Sequence, residues 1–305
     1  MIGEILADLF FPLLEEIAPH VPGEFFPYFF NGQTEALQRA MLASILVSVI
    51  AGFLGSFLLV RNLAMIGDGL AHVAFGGVIV GIILGATSPL WYAMLFSVIA
   101  SVSIYELQSR EILTGDASIA IFMTGMLALG LVILKLSNRA ITTEIQSYLF
   151  GSQLLIDWEH LNLISYVSIF CLYTLYQLRY GLLAITIDPL SARVQGLPVR
   201  GIGLMFSIII AAVVVSMVKI VGALLVTSLL VTPAATAQLI GRSFKSCLIW
   251  TQIFGLLSIF TGLYISAEHD AGAGSSIALV AATIFVIIAI SNELIKKLKT
   301  TDNID

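Results

Sequence analysis

The residues best suited to chemistry in this sequence are Asp68 and His72, which stand four positions apart near the start of an apolar stretch. In a helix this spacing puts both side chains on one face, with Cβ atoms about 5–6 Å apart. A carboxylate oxygen and an imidazole nitrogen suit a divalent transition ion such as zinc, manganese or iron, whereas magnesium and calcium prefer an all-oxygen set. Charged groups in hydrocarbon cost roughly 2.5–3.5 kcal/mol each on insertion scales and are kept mainly where they line a pathway or bind something. The pair therefore predicts metal ligands inside a membrane.

A simpler interpretation of the same pair involves no metal. Asp68 would cap the amino end of its helix, and His72 would hydrogen-bond to a neighbouring helix. Two ligands also do not complete a metal site, so the remaining ligands must come from other helices.

A second candidate site lies in the polar segment AEHDAGAGSS, where three possible ligands are adjacent: Glu268, His269 and Asp270. Exposed loops are polar in most proteins, so an ordinary turn followed by a helix start explains this segment equally well. His160, which has acidic neighbours at Asp157 and Glu159, is a weaker candidate of the same kind.

Small residues and a proline predict close packing and a bent helix. Gly77, Gly81 and Gly85 repeat at every fourth position beside the Asp68 stripe, a pattern that lets another helix approach closely. Thr232 and Pro233 interrupt a later apolar stretch, where the proline removes a backbone hydrogen bond and nearby hydroxyls can satisfy the freed carbonyls. That stretch is either a gating element or an ordinary bent helix.

The elements that hold these residues are membrane helices. The chain has 305 residues, of which 59% are hydrophobic and 11% charged, and its mean hydropathy is +1.03. This composition excludes a water-soluble globule. With about 20 residues per crossing, it predicts an all-α, multi-pass bundle of about eight or nine transmembrane helices. The apolar segments lie near residues 40–60, 69–86, 89–105, 117–136, 161–178, 202–218, 222–240, 247–266 and 275–293.

The positive residues orient this bundle. With nine crossings and the amino terminus outside, ten of the 14 Lys and Arg residues fall on the inner side, as the positive-inside rule requires. Residues 1–35 are acidic and rich in proline, and we expect them to lie along the outer membrane surface. Residues 36–294 form the transmembrane domain, and residues 295–305 form a cytoplasmic tail.

The longest inner loop contains the sequence DPLSARVQG. Asp188 can cap a helix, Pro189 suits a first helical turn, and Gly196 can end the helix. A short helix between two crossings is a natural docking point for a soluble partner, although it also serves as a simple connection.

The motifs of common catalytic and nucleotide sites do not occur. The sequence has no GxxxxGK[ST], HExxH or GxSxG pattern, so we expect no hydrolytic or nucleotide site in this chain. Nothing indicates a permanently bound cofactor or a nucleic-acid partner. Energy for any transport must come from another chain.

Taken together, four blocks of sequence resemble the permease subunit of the zinc, manganese and iron ABC importers, known as the ABC-3 family. The likeness covers roughly residues 36 to 294, and the blocks occur in the order of the family: RNLAMIGDGLAHVAFGGV, DPLSARVQG, VGALLVTSLLVTPAATAQLI and GAGSSIALVAATIFVI. The acidic amino-terminal segment is longer than the family usually shows.

The resemblance implies a homodimer in the plasma membrane that works with cytoplasmic ATP-binding subunits and an extracytoplasmic metal-binding protein. Asp68 and His72 match the family's GDxLxH motif and would contact the transported manganese, zinc or iron. The loop that contacts the ATPase corresponds to three residues: Asp188, Ala192 and Gly196.

Three other functions remain open from the sequence. A related ABC permease for iron-siderophore or corrinoid ligands would need a wider and less charged channel. A cation-coupled secondary carrier would work without an ATPase and follow a proton or sodium gradient. An intramembrane metalloenzyme would need three protein ligands and an activated water.

Overall fold

A computed structural model of the chain describes residues 2–32, 34–137, 142–151 and 156–301. Within these ranges the chain forms helices and short connections without any strand, which confirms the all-α prediction. The α-helices are α1 (Ile2–Ile17), α2 (Glu35–Val60), α3 (Ile66–Ile83), α4 (Leu90–Ser109), α5 (Gly115–Leu136), α6 (Thr143–Phe150), α7 (Trp158–Ile187), α8 (Pro189–Val194), α9 (Val199–Val221), α10 (Val226–Leu230), α11 (Thr232–Ile240), α12 (Phe244–His269) and α13 (Ala273–Thr301).

Eight of the described helices are long and apolar enough to cross a membrane: α2, α3, α4, α5, α7, α9, α12 and α13. They match eight of the nine apolar segments in the sequence. The tail predicted from residue 295 onwards begins within a helix, because α13 continues to Thr301.

The remaining apolar segment, residues 222–240, is not one continuous helix. Gly222 ends α9 with a φ of 91°, and the segment then forms α10 and α11, with Pro233 in the first turn of α11. Proline cannot donate the backbone hydrogen bond that would continue a helix through this point. The sequence predicts a bend at this proline, and the structure has a full break there between α10 and α11.

The broken segment nevertheless runs along α13 from end to end. Leu225, just before α10, lies beside Gly274 at the start of α13. Near the other end, Asn292 of α13 donates a hydrogen bond to the carbonyl of Leu239, at 2.7 Å. The segment thus makes a ninth pass, and the direction of every other helix remains as the sequence predicted.

Contacts between distant residues define the two ends of the bundle. At one end, which we call the inner end, Glu106 of α4 pairs with Arg200 of α9. The rings of Phe57 and Phe244 meet at the same end, with centroids 5.0 Å apart. We call the opposite end the outer end; it carries the α9–α10 and α12–α13 connections. The names follow the orientation predicted from the positive residues.

Helix α3 lies at the centre of the packing, against α4, α5 and α9. Gly77 and Gly81 bring it close to the start of α4: a Cβ added at Gly77 would lie 2.8 Å from the Cα of Ala93, and one at Gly81 would lie 3.0 Å from the Cα of Pro89. Gly85 has a different role, because it lies beyond the end of α3 and no atom approaches the corresponding Cβ position within 4 Å. The close approach at Gly77 and Gly81 is the kind of small-residue packing by which membrane helices associate.

The acidic amino-terminal segment packs on the outer part of the bundle. Near one end of α1, the side chain of Asn162 in α7 accepts a hydrogen bond from the backbone N–H of Gly3, at 2.8 Å. Near the other end, the carboxylate of Glu15 lies beside Gly32, shortly before α2. The segment therefore connects the outer parts of α7 and α2, and its position along a membrane surface stays a prediction.

Candidate functional site

Asp68 and His72 lie in the first half of α3, close to the inner end. The link between α2 and α3 turns at Asn62, whose φ is 54°, and α3 then begins at Ile66 with Asp68 in its first turn. A negative side chain is favourable there because the helix dipole is positive at this end. The Asp68 side chain is 25% exposed and the His72 side chain 14%, although the surrounding residues of α3 are mostly buried.

The geometry of the pair suits a shared ion. Asp68 Oδ1 and His72 Nε2 are 3.9 Å apart, which is too long for a hydrogen bond. Metal bonds of about 2.0–2.2 Å allow two donors on one ion to be at most about 4.3 Å apart. Both atoms can therefore reach the same cation with small side-chain rotations.

The simpler interpretation of the pair finds no support in the structure. The N-cap of α3 is Met65, and this helix start has no side-chain capping bond. The Nδ1 atom of His72 is buried and has no hydrogen-bond partner within the described ranges. Neither residue therefore performs the capping or interhelical bonding that would explain it without a ligand.

Three neighbours pack closely around the pair. Thr227 and Leu230 of α10 lie against Gly67, the residue before Asp68, and Met126 of α5 lies against Gly76, one turn after His72. The broken helix thus passes directly beside the candidate ligands. Near its break it carries three half-buried polar side chains: Thr227, Ser228 and Thr232.

Pro233 is buried and Thr232 is half-buried at the junction of α10 and α11. The carbonyl of Leu230, at the end of α10, lies against Gly55 of α2, where any larger residue would collide with it. The side chain of Thr236 donates to the carbonyl of Thr232, at 2.8 Å. Broken helices at membrane depth occur where protein or a water-filled cavity surrounds the freed backbone groups.

The outer cluster does not form a metal site. The carboxylate of Glu268 accepts three backbone hydrogen bonds from the amino-terminal segment, from the N–H groups of Glu24, Phe25 and Phe26, at 2.9–3.1 Å. His269 is the last residue of α12, and Asp270 ends that helix in the left-handed conformation, with a φ of 49°. Across the described ranges, no three His, Cys, Asp or Glu side chains converge as a metal site would require.

His160 is also engaged in local structure. Asp157 is the N-cap of α7 and accepts a hydrogen bond from the His160 backbone N–H at 2.9 Å, and its carboxylate also contacts the His160 ring. Burial raises the pKa of Asp157, but the hydrogen bonds from His160 outweigh it and bring the pKa below its ordinary value. The aspartate is therefore an ionised helix cap.

The short inner helix predicted from DPLSARVQG is confirmed as α8. Asp188 caps it by accepting the N–H groups of Leu190 and Ser191, at 2.9 and 3.1 Å, and Gly196 follows it with a φ of 83°. Hydrogen bonds from the Ser191 hydroxyl and these backbone groups hold the pKa of Asp188 below its ordinary value. The cap is consequently ionised at neutral pH, and its stabilising effect is lost only when acid protonates the carboxylate.

The surface of α8 is unusually apolar for an inner loop. Ala192 is buried against the bundle, whereas the side chains of Leu190 and Val194 are 72% and 88% exposed. Ile187, immediately before the helix, is 81% exposed. Exposed aliphatic residues that cluster outside a membrane mark an interaction site.

A cluster of ion pairs stabilises this loop, and the sequence did not predict it. Glu106 accepts hydrogen bonds from Arg200, at 2.7 Å, and from Arg110, at 3.1 Å. Arg200 is in the first turn of α9, directly after the α8 loop, and Glu106 is near the end of α4. Glu106 and Arg200 are 94 positions apart, so no local pattern could have paired these two residues.

At the outer end, three segments meet through their backbones. The N–H groups of Ala223 and Leu224 donate to the carbonyls of Tyr148 and Leu149, at 2.8 and 3.2 Å. Gly274 lies against the carbonyls of Val221 and Phe150, with no space for a side chain. We call this contact of α6, the α9–α10 link and the start of α13 the outer seal. It explains the glycine at position 274 in the GAGSS segment.

Known proteins match most of the chain. Residues 33–292 match the model of the ABC 3 transport family. The "High-affinity zinc uptake system membrane protein ZnuB" of Haemophilus influenzae is 34% identical over 85% of this chain and 98% of its own length. The "Manganese transport system membrane protein MntC" of Halalkalibacterium halodurans is 32% identical over 82% of this chain and 85% of its own length.

Solved structures agree with the fold. "PsaBC from Streptococcus pneumoniae in complex with Fab" contains a chain that superposes with a TM-score of 0.74 at 30% identity, covering 84% of this chain and 91% of that one. A second structure, titled "An inward-facing conformation of a putative metal-chelate type ABC transporter", has a TM-score of 0.63 at 16% identity and supports the fold alone.

Proposed function

The chain belongs to the ABC 3 transport family, and we propose that it is the permease of an ATP-driven importer for divalent transition-metal ions: manganese, zinc or iron. The family expected from the four sequence blocks is thereby confirmed, as is a multi-pass protein of the plasma membrane. The names of the zinc and manganese relatives support the substrate class.

The observation that carries this proposal is the Asp68–His72 pair. An oxygen and a nitrogen donor 3.9 Å apart, partly exposed on an otherwise buried helix, fit a borderline cation better than a hard one. The imidazole has no hydrogen bond behind it among the described residues, so it is not fixed as the ligands of resident metals are. Weak, adaptable ligation suits an ion that must leave again.

A second copy of the chain would complete the pathway. We take Asp68, His72 and the half-buried hydroxyls of α10 to form one polar face, which is costly if it contacts lipid. Pairing this face with its equivalent in a second permease would remove it from lipid and double the number of ligands. This explains why one chain alone has no cluster of three ligands in its described part.

The other partners would bind at the two ends of the bundle. A cytoplasmic ATP-binding subunit would contact the exposed apolar residues of α8, and an extracytoplasmic metal-binding protein would deliver the ion to the outer end. Closure of the ATPase pair on ATP would then move α8, and with it α7 and α9, to which α8 is directly linked.

Reconstituted vesicles test the proposal. The permease, its ATPase and the delivery protein are incorporated together, and accumulation of manganese, zinc and iron is measured with ATP and with a non-hydrolysable analogue. We expect ATP-dependent uptake of at least one free ion. Uptake that persists without the ATPase and follows a proton or sodium gradient would instead show a secondary carrier. Uptake limited to iron-siderophore or corrinoid complexes would show the related type of ABC permease.

A further inference from the structure

A cavity near the inner end has no role in the proposed pathway. It has a volume of about 700 Å³ and lies between α2, α7 and α12. Its walls are mainly apolar, with Phe53, Leu172 and Leu248 among them, and two cations, Arg179 and Lys245, also line it. None of the described residues that line the cavity is acidic.

The arrangement of these residues follows the depth of the membrane. Helices α2 and α7 run from the outer to the inner end, and α12 runs back, so Leu172 lies deeper than Arg179 along α7 and Leu248 lies deeper than Lys245 along α12. An occupant would therefore meet positive charge near the inner surface and hydrocarbon further in. A phospholipid of the inner leaflet has the same polarity.

Arg179 is held in place before any ligand binds. Its guanidinium lies over the ring of Tyr176, 4.1 Å from the centroid, and over that of Tyr180, 4.6 Å from the centroid. Its Nη2 donates to the Tyr180 hydroxyl at 3.1 Å. The Nε atom is buried and has no hydrogen-bond acceptor among the residues described. A guanidinium held in this way on two aromatic rings is preorganised to bind a phosphate oxygen.

We infer that this cavity binds an anionic phospholipid of the inner leaflet, with its phosphate between Arg179 and Lys245 and an acyl chain along Leu172 and Phe53. Neither cation has a carboxylate partner in the described part of the chain. An anionic headgroup would supply the negative charge that is missing from the site. Basic pockets between transmembrane helices on the cytoplasmic side bind such headgroups in general.

Native mass spectrometry of the purified permease tests this inference. The protein is titrated with short-chain phosphatidylglycerol and, separately, with phosphatidylcholine of the same chain length. We expect tighter binding of phosphatidylglycerol. Each of Lys245→Gln and Arg179→Gln should weaken it about fivefold, the effect of one cation near an anionic headgroup. Arg242→Gln is the matched control, because Arg242 is an exposed cation at the same end and does not line the cavity.

Two further measurements separate lipid from other occupants. Leu172→Trp fills the cavity without changing its charge, and we expect it to reduce the binding of both lipids. Inorganic phosphate at the same concentration should not displace phosphatidylglycerol. Equal binding of both lipids, unchanged binding in Lys245→Gln and Leu172→Trp, or displacement by phosphate would overturn the inference. So would efficient cross-linking of Tyr176→Cys to its equivalent in a second copy.

Discussion

At the scale of single residues, the proposed function depends on Asp68 and His72. We predict that Asp68→Asn and His72→Gln each lower ATP-dependent metal uptake by about tenfold or more, since each removes one ligand from the pathway. Uptake in reconstituted vesicles is compared at equal amounts of inserted protein. Asp116→Asn is the matched control, because Asp116 is also an aspartate in the first turn of a membrane helix but is exposed at the inner end. Full uptake in both variants would refute the pathway role.

Glu268 provides a prediction of a different kind. Its carboxylate accepts three backbone N–H groups of the amino-terminal segment, so Glu268→Ala should release that segment from the outer end. We expect faster proteolysis within residues 18–25 in the variant. Asp270→Asn changes a neighbouring acid that serves only as the end of α12, and its cleavage rate should match that of the wild type. Equal rates in all three proteins would contradict the anchoring role.

The Asp68–His72 pair and Glu268 show what spacing in the sequence can and cannot reveal. Asp68 and His72 are four apart in one helix, so their common face could be predicted from the sequence alone. Glu268 also resembled a ligand, but its backbone partners lie up to 244 positions earlier in the chain. Only the packed structure shows that three backbone N–H groups already occupy most of its acceptor capacity. The contact between Thr227 and Gly67 is likewise a tertiary contact, which no local sequence pattern predicts.

At the scale of elements, α8 leads to a test of the ATPase contact. We predict that the double change Leu190→Ser and Val194→Ser lowers copurification of the ATPase, since both apolar side chains are exposed on this helix. Ile112→Ser is the control, an exposed apolar residue at the same end but in the α4–α5 link. Retention of the ATPase by the double variant, or equal loss in the control, would place the contact elsewhere.

The outer seal gives a prediction about stability. Gly222 has a φ of 91° and lies against Gly151, so Gly222→Ala should lower the thermal stability of the permease. A Cβ in the left-handed region costs about 1–2 kcal/mol before any collision is counted. Gly125→Ala is the control, because no atom approaches its Cβ position within 4 Å. An unchanged melting temperature in Gly222→Ala would show that this contact is easily separated.

Long apolar helices are the elements that the sequence predicted best. Residues 117–136 were expected to cross the membrane, and α5 spans Gly115–Leu136. The same reasoning located residues 222–240 but not their division into α10 and α11, because hydropathy does not register a backbone interruption. The glycine and proline at positions 222 and 233 carry that information, and whether they bend or break a helix depends on its neighbours. Here the close approach of α10 to Gly55 accommodates a full break.

At the scale of the whole molecule, the incomplete ligand set predicts the stoichiometry of the assembly. We expect the permease and its ATPase to purify as a complex with two copies of each, measured by native mass spectrometry. The α8 double variant should leave a permease dimer without ATPase, because the polar face of α3 and α10 is separate from α8. A complex with a single permease would contradict the shared pathway.

Main-chain atoms make up much of the outer seal, and this restricts how the external side can open. A barrier built from side chains can leak when one of them changes rotamer, whereas amides and carbonyls in direct contact separate only when entire segments shift. Ala223 and Leu224 hydrogen-bond to the end of α6, and Gly274 lies against backbone carbonyls of both α6 and α9. The three segments must therefore separate together. In the proposed import cycle, such a closure would resist stray ions and tie each opening to a concerted rearrangement of α9 and α13.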